Sequence, residues 1–288
     1  PAEAAGGAGA ATTPAAPRTA LAPRRAPAKT PARVAAAGAR TAPARPRPPA
    51  GVVQRAPVVL VLDPVLQALP WESVPGLEQQ SMYRMPSLAV ALASCRAASE
   101  PRRLDPRDAF FSLNPSGDLG DTQQALEPLF LRQPTWKGTS GRPPAAAELA
   151  EALQTRQLFV YCGHGSGEQY LPAARLRTLR CSAAGLIMGC SSGRLRPPAA
   201  AGDEAQGAVL AYLLAGCPAA TANLWDVTDK DIDRFTAAVL EDWLEAPGRE
   251  PGAAVDVAAS VNAARGRCRL RYLNGGAAVT YGLPTLVG

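Results

Sequence analysis

Two stretches of the sequence carry its strongest structural signal: LFVYCGHGSG at residues 158–167 and GLIMGCSSG at residues 185–193. Each begins with an apolar run that is continuous rather than alternating, which is typical of strands covered on both faces in a parallel sheet. Each run ends in a loop of small residues, and these loops carry His164 and Cys190. Because the carboxyl ends of parallel strands meet at one edge of a sheet, the sequence predicts that His164 and Cys190 face each other there.

The residue types at these two positions favour nucleophilic catalysis. His164 is the only histidine among 288 residues, and histidine is the side chain best suited to proton transfer near neutral pH. An adjacent imidazole accepts the proton of a cysteine thiol and stabilises the thiolate, which is the nucleophile. The backbone N–H groups of Gly165 and Cys190 would then form an oxyanion hole, in which each donor contributes about 3 kcal/mol.

Each motif also has a structural interpretation. A lone histidine after a strand is commonly a hydrogen-bonded structural residue, and a cysteine after an apolar run is commonly a small buried side chain. The sequence GHGSG is rich in glycine like a phosphate-binding loop, but it lacks the Lys-Ser/Thr ending and the dinucleotide spacing. The pairing of both residue types on matching loops favours the catalytic interpretation over these.

Several motifs, taken together, resemble the C-terminal protease domain of the separase family. They are YCGHGSG and MGCSSG, together with AGCPAATANLWDVTDKDID, VTYGLP, LVLDPVLQALPWESVP and FFSLNPSGDL. The resemblance covers about residues 58–287. It implies a caspase-like α/β fold with three layers, in which a mainly parallel sheet is flanked by helices, and a cysteine endopeptidase that uses His164 and Cys190 as a catalytic dyad.

The resemblance also implies partners and a cellular role. Separase cleaves the kleisin subunit of cohesin after an arginine, releasing sister chromatids at anaphase. The expected partners are therefore this kleisin as substrate, a securin-like inhibitor that acts as a pseudosubstrate, and a helical N-terminal scaffold of the same protein. The expected location is the cytoplasm and nucleus. No metal or organic cofactor is expected.

An acidic cluster in the motif WDVTDKDID follows a strand that should share the catalytic edge. Carboxylates near a helix start are stabilising by about 0.3–1 kcal/mol each, which accounts for one or two of them. A carboxylate also matches the guanidinium fork of a substrate arginine. On the resemblance, we expect Asp226 and Asp231 to form the pocket for this arginine and Asp229 to cap the helix. Asn223 and Trp225 should shape the same loop.

Composition separates a tail from a folded domain. Residues 1–50 are rich in Ala and Pro, contain no aromatic side chain and carry eight Lys and Arg against one Glu. Such a segment buries too little apolar surface to offset chain entropy, so we expect residues 1–56 to be a disordered linker and 57–288 to be the protease domain. The remainder carries 22 basic and 23 acidic residues, which gives no argument for a nucleic-acid site in the folded domain.

Other sequence features restrict the class of protein. No apolar run is long enough to span a membrane and no signal peptide is present. The six cysteines form no CxxC pair, which disfavours zinc and indicates reduced thiols in a cytosolic or nuclear protein. The sequence begins with Pro1 rather than Met, which indicates a fragment.

The periodicity predicts alternating strands and helices, as in βαβ units with a parallel sheet. Strands are expected over 58–62, 109–113, 158–161, 186–188 and 219–224, with a last extended segment at VTYGLP. Helices are expected over 87–95, 122–130, 145–154, 206–215, 231–244 and 255–264. Asp121 or Thr122 is the expected N-cap of the helix that ends at 130, and Thr228 or Asp229 is the expected N-cap of the helix over 231–244.

Two other functions are compatible with these motifs. The first is a caspase-like domain that has lost activity and serves as a scaffold or binding module, which retention of both His164 and Cys190 disfavours. The second is a caspase-like peptidase unrelated to chromosome segregation, which the WDVTDKDID and PWESVP matches disfavour.

Overall fold

Strands and helices alternate along most of the residues that the computed structural model describes, namely 55–97, 102–197, 205–245 and 253–288. The strands in these residues are β1 (Val58–Val61), β2 (Met82–Met85), β3 (Arg102–Leu104), β4 (Ala109–Leu113), β5 (Lys137–Ser140), β6 (Leu158–Cys162), β7 (Ala184–Ile187), β8 (Ala219–Asn223), β9 (Val255–Asp256), β10 (Ala278–Gly282) and β11 (Thr285–Val287). The helices are α1 (Pro64–Gln67), α2 (Leu88–Ala97), α3 (Gly120–Leu131), α4 (Ala146–Thr155), α5 (Ala173–Leu176), α6 (Ala208–Leu214), α7 (Asp229–Glu245) and α8 (Val257–Ala264).

The main sheet has the strand order β1-β2-β10-β8-β7-β6-β4-β5. Within the run β8-β7-β6-β4-β5, each pair of neighbouring strands is parallel, and β1 is parallel to β2. Strand β10 is antiparallel to β8 and joins the two groups. A small second sheet has the order β3-β11-β9. The predicted mainly parallel α/β architecture is therefore confirmed.

Apolar side chains cover both faces of the main sheet, as the continuous apolar runs predicted. In β6, Leu158, Val160 and Cys162 join one buried cluster, which includes side chains of α3, α7 and α8. Phe159 and Tyr161 point to the other face and join a second cluster with side chains of α4 and α6. The structure thus has three layers, with helices on each side of the sheet.

The predicted elements agree with the structure within a few residues, but the predicted helix caps differ. Helix α3 begins at Gly120 after Leu119, whose side chain makes no capping hydrogen bond, so the N-cap predicted at Asp121 or Thr122 is wrong. Helix α7 begins at Asp229, so Asp229 is its first residue and the expectation that it caps the helix is wrong. The Thr228 carbonyl accepts from the N–H of residue 232 at 3.1 Å, which places Thr228 at the N-cap position.

The linker predicted over 1–56 lies almost wholly outside the described residues, which begin at 55. Within the described ranges, no helix combines the length and the apolar character that crossing a membrane requires.

Candidate active site

Three adjacent strands of the main sheet supply the loops of the candidate site. Strand β6 lies between β4 and β7 and is parallel to both. The loop after β4 carries Asp118, the loop after β6 carries His164, and the loop after β7 carries Cys190. Tyr161 pairs with Ile187 in the sheet, and each catalytic candidate lies three residues beyond its member of this pair.

The two catalytic loops are in backbone contact. A Cβ atom built on Gly189 would lie 1.9 Å from the carbonyl oxygen of Gly165 and 2.5 Å from that of Gly163. No side chain fits there, so glycine at 189 allows the loop before Cys190 to lie directly against the loop that carries His164. The predicted convergence of the two loops at one sheet edge is present.

The imidazole of His164 has an acidic partner that the sequence analysis did not assign. Its Nε2 lies 3.0 Å from Oδ2 of Asp118, and the two side chains are 54% and 60% exposed. The hydrogen bond from His164 lowers the pKa of Asp118. The main chain of His164 is also held, because Tyr161 and Gln169 both donate hydrogen bonds to its carbonyl oxygen.

The sulfur of Cys190 lies against the segment that follows β8. Its Sγ is 3.4 Å from both the N–H nitrogen and the carbonyl oxygen of Val227. The sulfur thus accepts from the Val227 N–H and, as a thiol, donates to the Val227 carbonyl, so the main chain of Val227 holds it in place. Ser191, the next residue, has a left-handed φ of 53°, and its N–H donates to the Trp225 carbonyl at 3.1 Å.

The end of strand β8 also holds the loop that carries Cys190. The Asn223 side chain is buried, and its Nδ2 donates to the Gly189 carbonyl at 3.1 Å. The Asn223 carbonyl accepts from the Gly193 N–H at 2.8 Å. Asn223 therefore anchors the loop of the candidate nucleophile, whereas the sequence analysis assigned Asn223 and Trp225 to the loop after β8.

Burial distinguishes Cys190 from most other cysteines. Cys162, Cys181, Cys217 and Cys268 are buried, and burial raises the pKa of each thiol, to about 11 or 12 for the last three and further for Cys162. A neutral thiol inside the core is a poor nucleophile. Cys190 is half-buried and Cys95, on α2, is exposed, so these two are the cysteines that reagents can reach.

Two backbone donors are available at the edge of the site. Within the described residues, neither the Gly165 nor the Cys190 N–H donates a hydrogen bond. No atom lies within 4 Å of the Cβ position of Gly165, so a side chain would have room there. The backbone of Gly165 has a left-handed φ of 60°, and this conformation favours glycine. Both N–H groups can therefore serve an oxyanion, although their assignment to that role stays a prediction.

The two aspartates predicted to bind arginine have different surroundings. Asp226 is exposed, and its Oδ1 accepts from the Ser191 hydroxyl at 2.7 Å. Asp231 is 3% exposed. Its carboxylate accepts four hydrogen bonds of 2.8–2.9 Å, from the Arg269 and Leu270 N–H groups, the Asn274 amide and the Arg234 guanidinium.

The hydrogen bonds of Asp231 also set its charge state. Burial by itself would raise its pKa, but the bonds from Asn274, Leu270, Arg269 and Arg234 outweigh burial and lower the pKa to about 2. The ionised carboxylate anchors the segment after α8 onto the start of α7. Arg234 shows that a guanidinium can reach this carboxylate, and the assignment of Asp226 and Asp231 to substrate arginine stays a prediction.

Sequence reasoning did not assign Asp118, Tyr161 or Val227 to the site. Asp118 lies in FFSLNPSGDL, where a single acid in a turn after a buried strand was a usable signal. Tyr161 was interpreted only as part of an apolar strand. Val227 acts through its main chain, for which the side chain gives no sequence signal. Among the described residues, no group of three or more His, Cys, Asp or Glu side chains is placed to bind a metal ion.

Comparisons with known proteins identify the family. The family model described as "Separin, protease domain" matches residues 32–232. The chain is 43% identical to mouse separin over 234 residues, covering 79% of this chain and 11% of that protein. It is 40% identical to the separin of Schizosaccharomyces pombe over 238 residues, covering 81% and 13%.

A solved structure shows the same fold. The chain matches the separase chain in the crystal structure of the Saccharomyces cerevisiae separase–securin complex with a TM-score of 0.71 and 34% identity. The match covers 80% of this chain and 16% of that one. The chain thus spans a small part of the length of its relatives, and it belongs to the separin protease-domain family, as its motifs indicated.

Proposed function

We propose that this chain is the catalytic domain of a separase, a cysteine endopeptidase that cleaves after arginine. The observation that carries the proposal is the backbone contact between the His164 and Cys190 loops at the ends of adjacent parallel strands. Family membership supports the same reaction.

The reaction proceeds through an acyl-enzyme. Nε2 of His164 faces Asp118, so Nδ1 takes the proton of the Cys190 thiol. The thiolate attacks the carbonyl carbon, and the N–H groups of Gly165 and Cys190 hold the oxyanion that forms. The C–N bond then breaks as the imidazolium gives its proton to the leaving amine. Water, deprotonated by His164, hydrolyses the thioester and restores the thiol.

Arginine specificity is assigned to the carboxylates after β8. Asp226 is exposed beside Ser191, the neighbour of the nucleophile, and presents an oxygen to an incoming side chain. Asp231 already binds the guanidinium of Arg234 at 2.8 Å, so a substrate guanidinium would replace Arg234 there. A planar guanidinium that binds a carboxylate through two hydrogen bonds distinguishes arginine from lysine.

The substrate and partners follow from the family. The substrate is the kleisin subunit of cohesin, and cleavage releases sister chromatids at anaphase. A securin-like protein inhibits the site as a pseudosubstrate, in keeping with the securin bound to yeast separase in the matched crystal structure. A helical N-terminal scaffold belongs to the same protein, which acts in the cytoplasm and nucleus.

A fluorogenic peptide with arginine before the reporter group tests the proposal. The unmodified chain should cleave it, whereas Cys190→Ser and His164→Ala should each lose at least 1,000-fold in kcat/KM, on the order of the loss when a catalytic group is removed. Cys95→Ser is the control and should keep full activity. An unmodified chain that binds the peptide without cleaving it would favour the inactive scaffold.

The biological substrate needs a separate assay. Incubation with a cohesin kleisin should give cleavage after one or a few arginines, and substitution of those arginines by glutamate should prevent it. Cleavage of the small peptide without cleavage of the kleisin would favour a caspase-like peptidase outside chromosome segregation.

A further inference from the structure

The loop that carries Asp118 is held by hydrogen bonds and packs against the loop that carries His164. Its first residue, Asn114, is 2% exposed and has a left-handed φ of 47°. The Asn114 N–H donates to the carbonyl of Cys162, the last residue of β6, at 2.8 Å. The Asn114 side chain accepts from the Leu119 N–H and donates to Gln123, both at 2.9 Å. The loop is thus closed at both ends around Asp118.

The same loop contacts the glycine before the histidine. A Cβ atom at Gly163 would lie 2.8 Å from Cδ of Pro115, so the two loops are packed closely. A buried asparagine in a left-handed backbone conformation costs conformational free energy, which the hydrogen bonds and packing of this loop offset. The result of this construction is the 3.0 Å contact between Oδ2 of Asp118 and Nε2 of His164.

We propose that Asp118 is a positioning residue of the catalytic site, which acts on Cys190 through His164. The inference rests on the proposed function and adds a third residue to its dyad. Three neighbouring parallel strands then supply one residue each: Asp118 after β4, His164 after β6 and Cys190 after β7.

The contact has two physical consequences. A carboxylate that accepts a hydrogen bond from Nε2–H fixes the tautomer in which Nδ1 is the base, and it fixes the orientation of the ring. Its negative charge also stabilises the imidazolium that forms when Cys190 loses its proton. Asp118 therefore raises the fraction of the thiolate–imidazolium pair.

The size of the effect is limited by solvent. Both side chains are more than half exposed, and ion pairs between exposed side chains contribute little, here about fivefold in rate or less. Removal of Asp118 should therefore slow the reaction without abolishing it. The same exposure makes the contribution sensitive to salt.

Two readouts on the full chain test this role. The first is kcat and KM for the arginine peptide. The second is the rate at which iodoacetamide alkylates Cys190, measured by mass spectrometry with exposed Cys95 as the internal standard. The variants are Asp118→Ala, Asp118→Asn, which keeps an oxygen acceptor without the charge, and the control Asp121→Asn, an exposed acid (79%) in the first turn of α3.

The expected result for Asp118→Ala is about a fivefold fall in kcat at unchanged KM, together with a similar fall in alkylation of Cys190 and none in that of Cys95. Asp118→Asn should be intermediate, and Asp121→Asn should match the unmodified chain.

Unchanged kcat and alkylation in both Asp118 variants would overturn the proposal, and so would a change in KM alone. If Asp118→Ala unfolds, the isosteric Asp118→Asn decides. Alkylation requires no peptide cleavage, so a failure of the peptidase assay alone would count against the proposed function and not against Asp118.

Discussion

The phenolic oxygen of Tyr161 lies 2.7 Å from the carbonyl oxygen of His164 and donates a hydrogen bond to it. Gln169 donates to the same carbonyl at 3.2 Å and to the Tyr161 hydroxyl at 3.2 Å. Side chains from the end of β6 and from the following loop thereby hold the main chain of His164. The position of His164 depends on a strand side chain inside the core.

Removal of this hydroxyl should weaken the site and the fold together. We expect Tyr161→Phe to lower the free energy of unfolding by about 1 kcal/mol, the typical net contribution of one hydrogen bond, and to lower kcat several-fold. Gln169→Ala should have a smaller effect. Since both side chains bind one carbonyl, the double variant should deviate from additivity by at least about 0.5 kcal/mol in urea unfolding. Additive effects with an unchanged kcat would show that the two bonds are independent of the site.

Gly189 should tolerate no side chain. A methyl group there would lie 1.9 Å from the Gly165 carbonyl oxygen, so Gly189→Ala must separate the two catalytic loops. We expect a loss of about 1–3 kcal/mol in stability and about 100-fold or more in kcat/KM. Gly120→Ala is the matched control, because no atom lies within 4 Å of its Cβ position. Equal activity of the two variants would contradict the backbone contact.

Asp233 should make stability depend on pH. Burial, with Asp229 and Asp121 nearby, raises its pKa from the ordinary 3.8 to about 6, although the Thr122 hydroxyl partly compensates. Because the folded state prefers the protonated acid, this contribution to stability is complete below pH 3.8 and is lost as the pH rises through about 6.

The neutral variant Asp233→Asn should therefore stabilise the fold at pH 7.5 and change it little at pH 4. The rise in the pKa of Asp233 from 3.8 to about 6 corresponds to about 3 kcal/mol, and solvent screening leaves about 1–2 kcal/mol of this. Thermal or urea unfolding at the two pH values measures the difference. A gain of equal size at both would show that ionisation of Asp233 is not its source.

The two candidate specificity residues should separate by their effects on folding. Asp226→Ala and Asp231→Ala should each lower the ratio of kcat/KM for arginine over lysine peptides, by about tenfold where a bidentate contact is lost. Asp231→Ala should also lower the melting temperature, because four donors lose a buried acceptor. Asp226→Ala should not. Asp229→Ala is the control for the ratio, and an unchanged ratio in both test variants would show that the pocket lies elsewhere.

Much of the fold could be predicted from residue patterns. The continuous apolar runs of β4, β6, β7 and β8 indicated a sheet covered on both faces, and the turn residues after each run marked the sheet edge. His164 and Cys190 could be selected because each residue type carries its own chemistry. Their loops are close because adjacent parallel strands end together, which is a property of topology.

Other parts depend on contacts that a pattern does not contain. Strand β2 reads MYRM, and an arginine in a strand ordinarily indicates an exposed position. Arg84 is nevertheless fully buried, because it forms an ion pair with Glu72 at 2.6 Å. Strand β10 is antiparallel to β8, and nothing in VTYGLP specifies direction. The four donors to Asp231 come from segments about 40 residues away, except for Arg234.

Covalent labelling with an arginine-containing acyloxymethyl ketone, followed by mapping of the modified peptide, tests whether His164 and Cys190 work together. We expect one modification, at Cys190, that is absent in His164→Ala, while exposed Cys95 stays unmodified in both. Labelling of Cys95 alone, or labelling of Cys190 at the same rate with and without His164, would contradict it.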